Sequence, residues 1–415
     1  MKKSTAKKFF PQGMGLLSLL PLLLWGTIFT STSFAEVPLP EWSGSIKSLN
    51  LYGEEAPADL FPEYLLSSNR ARLNMDWKPV RGWDIETAFE YQYLWSDQLE
   101  DFTLPSRSYN RHLDLDKVWE HGDHAASRLV VDRLNLNRSA GAMDITVGRQ
   151  AVGFGRILIS SPLDVIAPFA PDAIDTDVRR GVDALHGIFN YGLDGQLGAI
   201  GVWGDKSRYN SFLATWSDNR AGLDMLMIGG RLRGRNMFGA GLAGSLGTLG
   251  LKGEFSIYNG RDTGEWGGDL HDSYALAAIE TWYRFNNGIS LITQYLYNGP
   301  GVDDPEDYPK ALASAPMQEG LTYLLGKHYL IVAPAYDLHP LATAQGLIIY
   351  NIEDNSALIR PMLVLSLADN ISLQIFWAWN QGQEPDVIAP VLPAEPQSEF
   401  GMSGDSGGFF LSWFF

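Results

Sequence analysis

The chain has 415 residues, no cysteine, 43 glycines, 12% aromatic residues and a formal net charge of −17. This much negative charge repels phosphate groups, which excludes a nucleic-acid-binding surface. The absence of cysteine excludes structural disulfides, thiolate metal sites and covalently attached c-type haem. The glycine and aromatic content is typical of a large β-structure.

The N-terminus has the three parts of a secretory signal peptide. An apolar segment over 15–29 follows a basic segment, and a small-x-small site at 33–35 precedes Glu36. A membrane anchor is the alternative, but the apolar segment is shorter than the ~20 residues that a spanning helix needs. We therefore predict a signal peptide over 1–35 and one mature domain over 36–415. The basic residues are Lys2, Lys3, Lys7 and Lys8.

The segment 70–95 alternates apolar and polar residues with a period of two. Its odd positions are mostly apolar and become aromatic toward the end, while its even positions are mostly charged or amide residues. The pattern predicts two long antiparallel strands joined by a tight turn. We expect Arg70 to lie opposite Glu90 and Asn74 opposite Glu86, which places opposite charges across the polar face. A transmembrane barrel wall and a soluble sandwich would both show this alternation.

The same alternation recurs along the chain and predicts eighteen strands, with sixteen as the alternative. Short turns built on Gly, Asn, Asp or Pro alternate with long polar connections. Outer-membrane barrels have short periplasmic turns and longer external loops, whereas a soluble sandwich has no reason to sort its connections in this way. Asp132 has the wrong parity in its strand, which indicates a β-bulge. The predicted strands are 44–52, 69–78, 81–95, 127–138, 141–150, 181–191, 195–204, 208–217, 222–234, 236–246, 248–259, 272–286, 288–298, 322–336, 341–352, 356–368, 370–381 and 407–415.

The cost of charge in lipid orients the two faces of the wall. A lysine or arginine that faces lipid at the midplane costs ~2–4 kcal/mol. Turning the hairpin 70–95 inside out would expose six charges to lipid, so the charged face should line the lumen. At the C-terminus Phe409, Leu411, Trp413 and Phe415 alternate, and this ending is similar to the signal by which such barrels reach their assembly machinery. We predict an all-β protein, a transmembrane antiparallel β-barrel in the cell outer membrane with a water-filled lumen.

The expected partners follow from this location. They are outer-membrane lipid, lipopolysaccharide and, through the strand ending at Phe415, the barrel assembly machinery. Acidic residues concentrate in the connections at 54–55, 303–307 and 384–399. We hypothesise that divalent cations bridge these loops to lipopolysaccharide; the alternative is that their charge only keeps the loops soluble.

The connection 151–180 is apolar and proline-rich, unlike the acidic loops. Its Leu163, Val165, Ile166 and Phe169 would form an unexplained patch if water covered them. We predict that the loop folds inward, buries these side chains and narrows the pore; a loop packed over the mouth is the alternative. The predicted constriction residues are Arg156, Asp164, Asp177, Arg179 and Arg180.

Further charged residues have the parity of the inner face. They contain more arginine than the charge of the whole chain suggests, which favours passage of anionic or polar solutes. Pairing of arginines with neighbouring acids would leave the selectivity open. The predicted lumen wall comprises Arg70, Arg72, Glu86, Glu90, Arg133, Arg231, Arg233, Glu280, Arg284 and Arg360.

Two short motifs have simpler explanations than a cofactor or a metal. Gly239–Gly244 matches G-x-G-x-x-G, but the residues after it alternate as another strand, and a dinucleotide site needs a helix there. His112, His121 and His124 lie in an acidic loop without the spacing of helical metal ligands. We expect no metal, no cofactor and no catalytic residues.

One stretch resembles known families. It runs from Val147-Gly148-Arg149-Gln150 to Arg179-Arg180-Gly181-Val182-Asp183-Ala184-Leu185 and resembles porin-like outer-membrane proteins of Gram-negative bacteria. The Gly-Arg-Gln strand end and the returning Asp-Ala strand are also similar to the alginate-export barrel family. That resemblance implies an 18-stranded, arginine-lined channel for an anionic polysaccharide. The chain also resembles the barrel that sheathes a multihaem cytochrome in porin–cytochrome conduits, which too would lack haem-binding cysteines.

The function that we predict is a porin-like channel for diffusion of small, anionic or polar solutes, which filters by charge and size without covalent chemistry. A structural barrel around a multihaem cytochrome partner is the alternative. An enzyme with its site at the barrel rim comes third, because the seven histidines form no recognisable catalytic motif.

Overall fold

The computed structural model describes residues 38–98, 109–387 and 394–415. The predicted signal peptide over 1–35 lies outside the described residues, and so does part of the acidic segment 384–399. Residues Leu39–Phe415 form one unit. Among the described residues no helix is long and apolar enough to cross a membrane.

Nineteen strands and two short helices make up the described chain. The helices are α1 (Tyr308–Ala313) and α2 (Ala315–Gln318). The strands are β1 (Glu41–Gly53), β2 (Tyr64–Trp77), β3 (Trp83–Ser96), β4 (Asp116–Glu120), β5 (Ala125–Ala140), β6 (Met143–Gln150), β7 (Val182–Tyr191), β8 (Gly195–Val202), β9 (Ser211–Arg220), β10 (Leu223–Leu232), β11 (Arg235–Leu246), β12 (Leu249–Asn259), β13 (Ser273–Arg284), β14 (Ser290–Asn298), β15 (His328–His339), β16 (Ala342–Asn351), β17 (Ala357–Ala368), β18 (Ile371–Gln381) and β19 (Ser406–Phe414).

Eighteen of these strands form one closed antiparallel barrel, as predicted. Each pairs with its neighbours in sequence, and β19 pairs with β1 to close the ring. The short strand β4 is additional. It pairs with the first part of β5, from Ala126 to Val130, and the other edge of β5 pairs with β3. Closure leaves no unpaired sheet edge around the wall, which is what a barrel in lipid requires.

The C-terminal residue completes this closure. The Phe415 N–H donates to the Gly44 carbonyl at 3.0 Å, and the Gly44 N–H donates to the Phe415 carbonyl at 2.8 Å. Phe409, Leu411 and Trp413 are exposed, so their side chains form part of the apolar outer face.

The connections sort into two classes, as the sequence predicts. Eight short turns lie at the end of the barrel that also holds the start of β1 and the end of β19, and we call this the turn end. Most connections at the opposite end, which we call the loop end, are longer; the exception is the two-residue turn Arg233-Gly234 between β10 and β11. The longest described connections lie at the loop end, between β3 and β5, β6 and β7, β14 and β15, and β18 and β19.

The register of the hairpin β2–β3 differs from the prediction by two residues. Arg72, not Arg70, lies opposite Glu90, and Asp76, not Asn74, lies opposite Glu86. The difference arises at the turn, where the Trp83 N–H donates to the Val80 carbonyl. Trp83 and Asp84 therefore have no partner in β2.

The bulge that Asp132 indicates in β5 is confirmed. Ala88 of β3 lies opposite Arg133, but the next residue, Phe89, lies opposite Val131, so Asp132 is left out of the ladder. Both Asp132 and Arg133 are buried inside the barrel. A bulge re-aims a side chain, and here it lets two consecutive residues point into the lumen.

The glycines of the G-x-G-x-x-G segment lie within β11, as the barrel prediction requires. A Cβ atom at Gly239 would lie 2.5 Å from a Leu163 methyl carbon, and one at Gly241 would lie 2.9 Å from the other. Both glycines therefore leave room for Leu163, a residue of the connection between β6 and β7. The motif serves packing inside the lumen.

A buried carboxyl, that of Glu399, joins three connections at the loop end. It accepts hydrogen bonds from the Leu325 N–H at 2.9 Å and from the Asn351 amide at 2.8 Å, and it also contacts the Tyr329 hydroxyl. Its own N–H donates to the Asp354 carboxylate at 2.6 Å. Burial raises the pKa of Glu399 to about 7.

The raised pKa of Glu399 predicts that the loop end weakens as the pH rises. Folding favours the neutral acid, so this stabilisation is complete below about pH 4 and is lost as the pH rises through about 7. The loss amounts to at most about 3 kcal/mol. We expect Glu399→Gln to remove the corresponding fall in the denaturant midpoint between pH 4 and 8, measured in detergent micelles.

The exposed Glu395 in the same connection provides the matched control. Glu395→Gln should keep the pH dependence of the unsubstituted protein. An equal pH slope in all three proteins would contradict the assignment to Glu399.

Candidate pore constriction

Residues 151–181, which we call the constriction loop, fold into the lumen as predicted. Leu163, Val165 and Ile166 are 0%, 1% and 1% exposed. They pack against the inner face of the wall from β7 to β13, and burying each contributes roughly 1.5–3 kcal/mol. The wall residues of this cluster are Val182, Ala184, Ile200, Val202, Leu213, Leu226, Ile228, Leu232, Met237, Tyr258, Tyr274, Leu276 and, nearby, Leu321.

The apolar inner face continues along the neighbouring strands, where Ile157 and Ile159 of the loop cover it. The wall residues there include Leu296, Ile331 and Ile349. A bare apolar face in a water-filled lumen would be unfavourable. The constriction loop is therefore held against this part of the wall, and the remaining lumen faces the polar strands β1 to β6.

Carboxylates of the wall hold the backbone of the loop. Glu254 accepts hydrogen bonds from the Arg156 and Ile157 N–H groups. Glu280 accepts one from the Leu158 N–H at 2.8 Å and also pairs with Lys252 at 2.7 Å. Buried backbone N–H groups need partners, so Glu280 faces inward as predicted but acts as an anchor for the loop.

The last part of the loop is tied to the opposite wall. Lys47 of β1 lies 2.9 Å from the Asp175 carboxylate and 2.7 Å from that of Asp177. Arg70 of β2 also pairs with Asp175. These contacts carry the loop across the lumen, from the apolar wall to the polar one. Neighbouring cations lower the pKa of Asp175, against the effect of burial.

Besides Asp177, three other predicted constriction residues are engaged in ion pairs at the loop. Arg179 pairs with Asp164 at 2.5 Å and lies over the Phe169 ring at 5.0 Å. Arg156 pairs with Asp224 of β10 at 2.8 Å. Burial raises the pKa of Asp164 although Arg179 opposes the shift. Arg179 and Asp164 therefore stabilise the shape of the loop.

Arg180 differs from the other constriction residues. Its side chain is exposed to the lumen, and it forms no ion pair with any carboxylate in the described part of the chain. The surrounding protein and nearby Arg128 lower the pKa of Arg180, but an arginine remains charged at neutral pH. It lines a cavity of about 40 Å³ with Glu90, Gln92, Arg111, Arg128, Val130 and Asp132.

Asp132 is the shared acid of this arginine cluster. Its carboxylate accepts hydrogen bonds from Arg72 at 2.7 Å, Arg111 at 2.6 Å and Arg133 at 2.6 Å. It also accepts one from the Gly181 N–H at 3.0 Å, which fixes the end of the constriction loop. Two of these guanidinium groups also have a second acid within 4 Å, Glu90 for Arg72 and Glu86 for Arg133, so the excess positive charge of the cluster is that of Arg180.

Two members of the cluster are absent from the sequence-based prediction. Arg128 follows the inward parity of β5 opposite Gln92, so the alternation contains a signal for it. Arg111 comes from the connection between β3 and β5, and nothing in the sequence indicates that it reaches the lumen. It bonds to the Gly181 carbonyl at 2.8 Å as well as to Asp132. Burial lowers the pKa of Arg111 to about 10.

The remaining predicted wall residues on the polar side face inward. Glu90 lies 3.7 Å from Arg72, and Glu86 lies 3.4 Å from Arg133. Arg284, at the turn end of β13, pairs with Asp337 at 3.5 Å.

Arg360 lies on the other side of the constriction loop. It is a buried residue of β17 whose guanidinium donates to the Asp172 carbonyl, and it forms no ion pair with a described carboxylate. It lines a cavity of about 240 Å³ with mostly apolar residues, among them Leu158, Phe169 and Met362.

Two of the predicted wall residues, Arg231 and Arg233, do not face the lumen. Arg231 lies opposite the exposed Phe212, on the outer side of β10. The prediction for Arg231 is wrong because Leu226 and Ile228 are the residues of this strand that face inward, where the constriction loop buries them. Arg233 lies in the turn after β10 and is 1% exposed.

Arg233 instead clamps the constriction loop. It donates to the Val165 and Ile166 carbonyls at 3.0 and 2.8 Å and to the Glu319 carbonyl at 2.9 Å. A buried guanidinium needs such acceptors.

The histidines of the connection between β3 and β5 do not meet. A His112 nitrogen lies 3.2 Å from the Gly204 carbonyl, and a His121 nitrogen lies 2.8 Å from the Ser127 hydroxyl. Within the described ranges no three His, Asp or Glu side chains form a group that could hold a metal ion.

The Gly-Arg-Gln and Asp-Ala segments that carry the family resemblance meet across two strands. Arg149 of β6 pairs with Asp183 of β7 at 2.7 Å, and its guanidinium also donates to the Val131 and Leu113 carbonyls. The pair is buried and fixes both ends of the constriction loop.

Comparisons with known proteins identify the fold. No protein-family model matches the chain, and no curated protein sequence is similar to it. The crystal structure of OccAB4 from Acinetobacter baumannii aligns with a TM-score of 0.57 and 11% identity, over 92% of this chain and 99% of that one. OccD3 (OpdP) from Pseudomonas aeruginosa aligns with a TM-score of 0.50 and 10% identity, over 90% and 91%.

These structural neighbours are outer-membrane porins. At such low identity the likeness shows the fold, an 18-stranded antiparallel barrel of the porin type. The comparisons do not show the similarity to alginate exporters or to cytochrome conduits.

The packing of the constriction loop gives a testable prediction. Leu163→Ala should cost ~2–5 kcal/mol, because it leaves a cavity between the loop and the glycines of β11. We expect a lower denaturant midpoint and faster proteolysis within 151–181. Leu158, in the same loop, is 65% exposed, so the control Leu158→Ala should change stability by about 0.5 kcal/mol or less. Equal losses in the two variants would contradict this packing.

Proposed function

We propose that the protein is an outer-membrane channel for diffusion of small solutes, with a preference for anionic ones. The observation that supports this most directly is the arginine cluster beside the constriction loop, in which Arg180 faces the lumen without an ion-pair partner in the described chain. The porin fold of the structural neighbours supports the channel, and it supports a protein without enzymatic activity.

The mechanism is steric and electrostatic filtering. The loop is anchored on β1, β2 and β12 to β14, so it narrows the lumen without a moving part. An anion that enters from the loop end loses part of its hydration at the narrow zone, and the Arg180 guanidinium replaces it with donor groups, while Arg111 and Arg128 beside it stay bonded to Asp132 and Asp116. Weak multi-point contacts of this kind allow entry and release.

The preference for anions depends on the balance of charges at the cavity. Three arginines and two acids line it. With their ion-pair partners Arg72, Arg133, Asp116 and Glu86, five arginines stand against four carboxylates. The local excess is therefore one positive charge, that of Arg180, within a chain whose net charge is −17.

The larger solute suggested by the sequence, an anionic polysaccharide, would use the same arginines. The cytochrome sheath is less compatible with the geometry, because the constriction loop occupies the lumen and is anchored on both sides of it. A folded cytochrome domain could enter only if the loop were displaced. We therefore favour diffusion of small solutes.

The location and partners belong to the same proposal. A signal peptide over 1–35 would direct export, and the strand β19 ending beside Phe415 would be recognised by the barrel assembly machinery. The apolar outer face would contact outer-membrane lipid and lipopolysaccharide.

Planar-bilayer recording tests the proposal. We expect single-channel steps, and in a KCl gradient a reversal potential that indicates anion selectivity. Arg180→Ala should lower the anion-to-cation permeability ratio about two- to fivefold, since one charge at 4–8 Å in water contributes about 0.5–1 kcal/mol. Arg180→Lys is the matched control and should retain most of the ratio, because it keeps the charge.

Two results would contradict the proposal. Absence of channel steps for a correctly folded protein would exclude a pore, and cation selectivity in the unsubstituted protein would exclude the preference for anions.

A further inference from the structure

We propose that the lumen contains two zones of opposite charge in series, and that acidic residues at the turn end act as a second determinant of ion selectivity that makes the current rectify. This inference rests on the proposed channel function and goes beyond it. It requires no bound ion and no movement of the constriction loop.

The first zone is a row of carboxylates, which we call the acidic row. Glu41 of β1 lies directly opposite Asp76 of β2, and Asp76 lies directly opposite Glu86 of β3. Asp84 precedes Glu86 by two residues and shares its face, while Asp144 of β6 contacts Ser139 and Asn190 nearby.

The row faces the lumen. Asp76 lies on the same face of β2 as Arg72 and Arg70, which bond inward to Asp132 and Asp175. Successive side chains of a strand alternate between faces, so residues at even spacing share one. Glu41 and Asp76 are exposed, and within this barrel face that exposure is to lumen water.

Packing does not explain the row. Like charges directly opposite each other destabilise a sheet, yet the pairs occur on three neighbouring strands. Nearby cations compensate only in part: Arg133 lies 3.4 Å from Glu86, and Lys78 follows Asp76 by two residues. Arg284, across the lumen at the same end, is paired with Asp337.

The second zone is the arginine cluster around Asp132 and Arg180. Arg72 and Arg70 precede Asp76 by four and six residues in β2. At 3.3 Å per residue these two arginines lie roughly 13–20 Å from Asp76 along the strand, and Arg133 and Glu86, 3.4 Å apart, mark the boundary between the zones. The Debye length is about 10 Å at 0.1 M salt and about 3 Å at 1 M, so each zone controls its own stretch of the pore and salt weakens both.

Two such zones in series conduct unequally in the two directions. When the turn end is positive, cations enter through the acidic row while anions enter through the arginine cluster, and both accumulate between the zones. When the turn end is negative, both kinds of ion are drawn out of that region and its conductance falls. The larger current therefore flows with the turn end positive.

The experiment is single-channel recording of the complete protein, inserted with known orientation, at equal and opposite voltages. We expect the current with the turn end positive to exceed the opposite current by about twofold in 0.1 M KCl, and the ratio to approach one in 1 M KCl. The double variant Asp76→Asn with Glu86→Gln removes two of the five carboxylates of the row, so the ratio at 0.1 M should fall and the anion selectivity should increase.

A matched double variant removes the same charge at the loop end. Glu54 and Glu55 are exposed in the connection between β1 and β2, and Glu54→Gln with Glu55→Gln should leave the ratio unchanged. Comparison of the far-ultraviolet circular dichroism of the variants checks that each is folded.

The possible outcomes separate the two claims. Conducting channels with a symmetric current, or with the opposite direction of rectification, would overturn the two-zone inference and leave the proposed channel function standing. A current ratio in the Asp76/Glu86 variant that equals that of the unsubstituted protein would overturn the role of the acidic row. Absence of any conductance in the folded protein would overturn the channel function and the inference with it.

Discussion

The structure depends on one constraint: every backbone hydrogen bond of a wall in lipid must be made within the wall. The pairing of β19 with β1 satisfies this constraint by closing the ring. Closure then fixes the direction of every side chain, since alternate residues face lipid or lumen. A charged side chain is energetically unfavourable only where it faces lipid. The outer face is therefore restricted to apolar residues, while the inner face can be apolar, polar or charged.

The residue composition of the inner face differs between the two halves of the lumen. The inner face of β7 to β17 is largely apolar, and the constriction loop covers it with Leu163, Val165 and Ile166. The inner face of β1 to β6 is ionic and remains open to water. The loop is thus positioned by the hydrophobic effect on one side and by the Lys47 and Arg70 pairs with Asp175 on the other. In the channel that we propose, selectivity depends on the half of the wall that is not covered.

The sequence predicts the barrel well, because period-two alternation and the sorting of short and long connections are repeated along the whole chain. It also predicts the bulge at Asp132 and the inward loop, since both break a pattern in a way that has few explanations. The sequence-based prediction fails where a contact between residues distant in sequence overrides the alternation pattern. The prediction for Arg231 is wrong because the neighbouring apolar residues of its strand face inward, where the loop buries them. Arg111 carries no local signal, as its position depends on a contact with Asp132.

The arginine cluster shows how a structural requirement produces a functional charge. Asp132 must leave the β5 ladder to reach Arg72, Arg111 and Arg133, and the same carboxylate holds the Gly181 N–H at the end of the constriction loop. This one acid positions three guanidinium groups, and Glu90 and Glu86 help to compensate their charge. Arg180, the residue before Gly181, is thereby placed beside the cluster and supplies its excess positive charge. The bulge therefore links the closure of the wall, the position of the loop and the electrostatic potential of the pore.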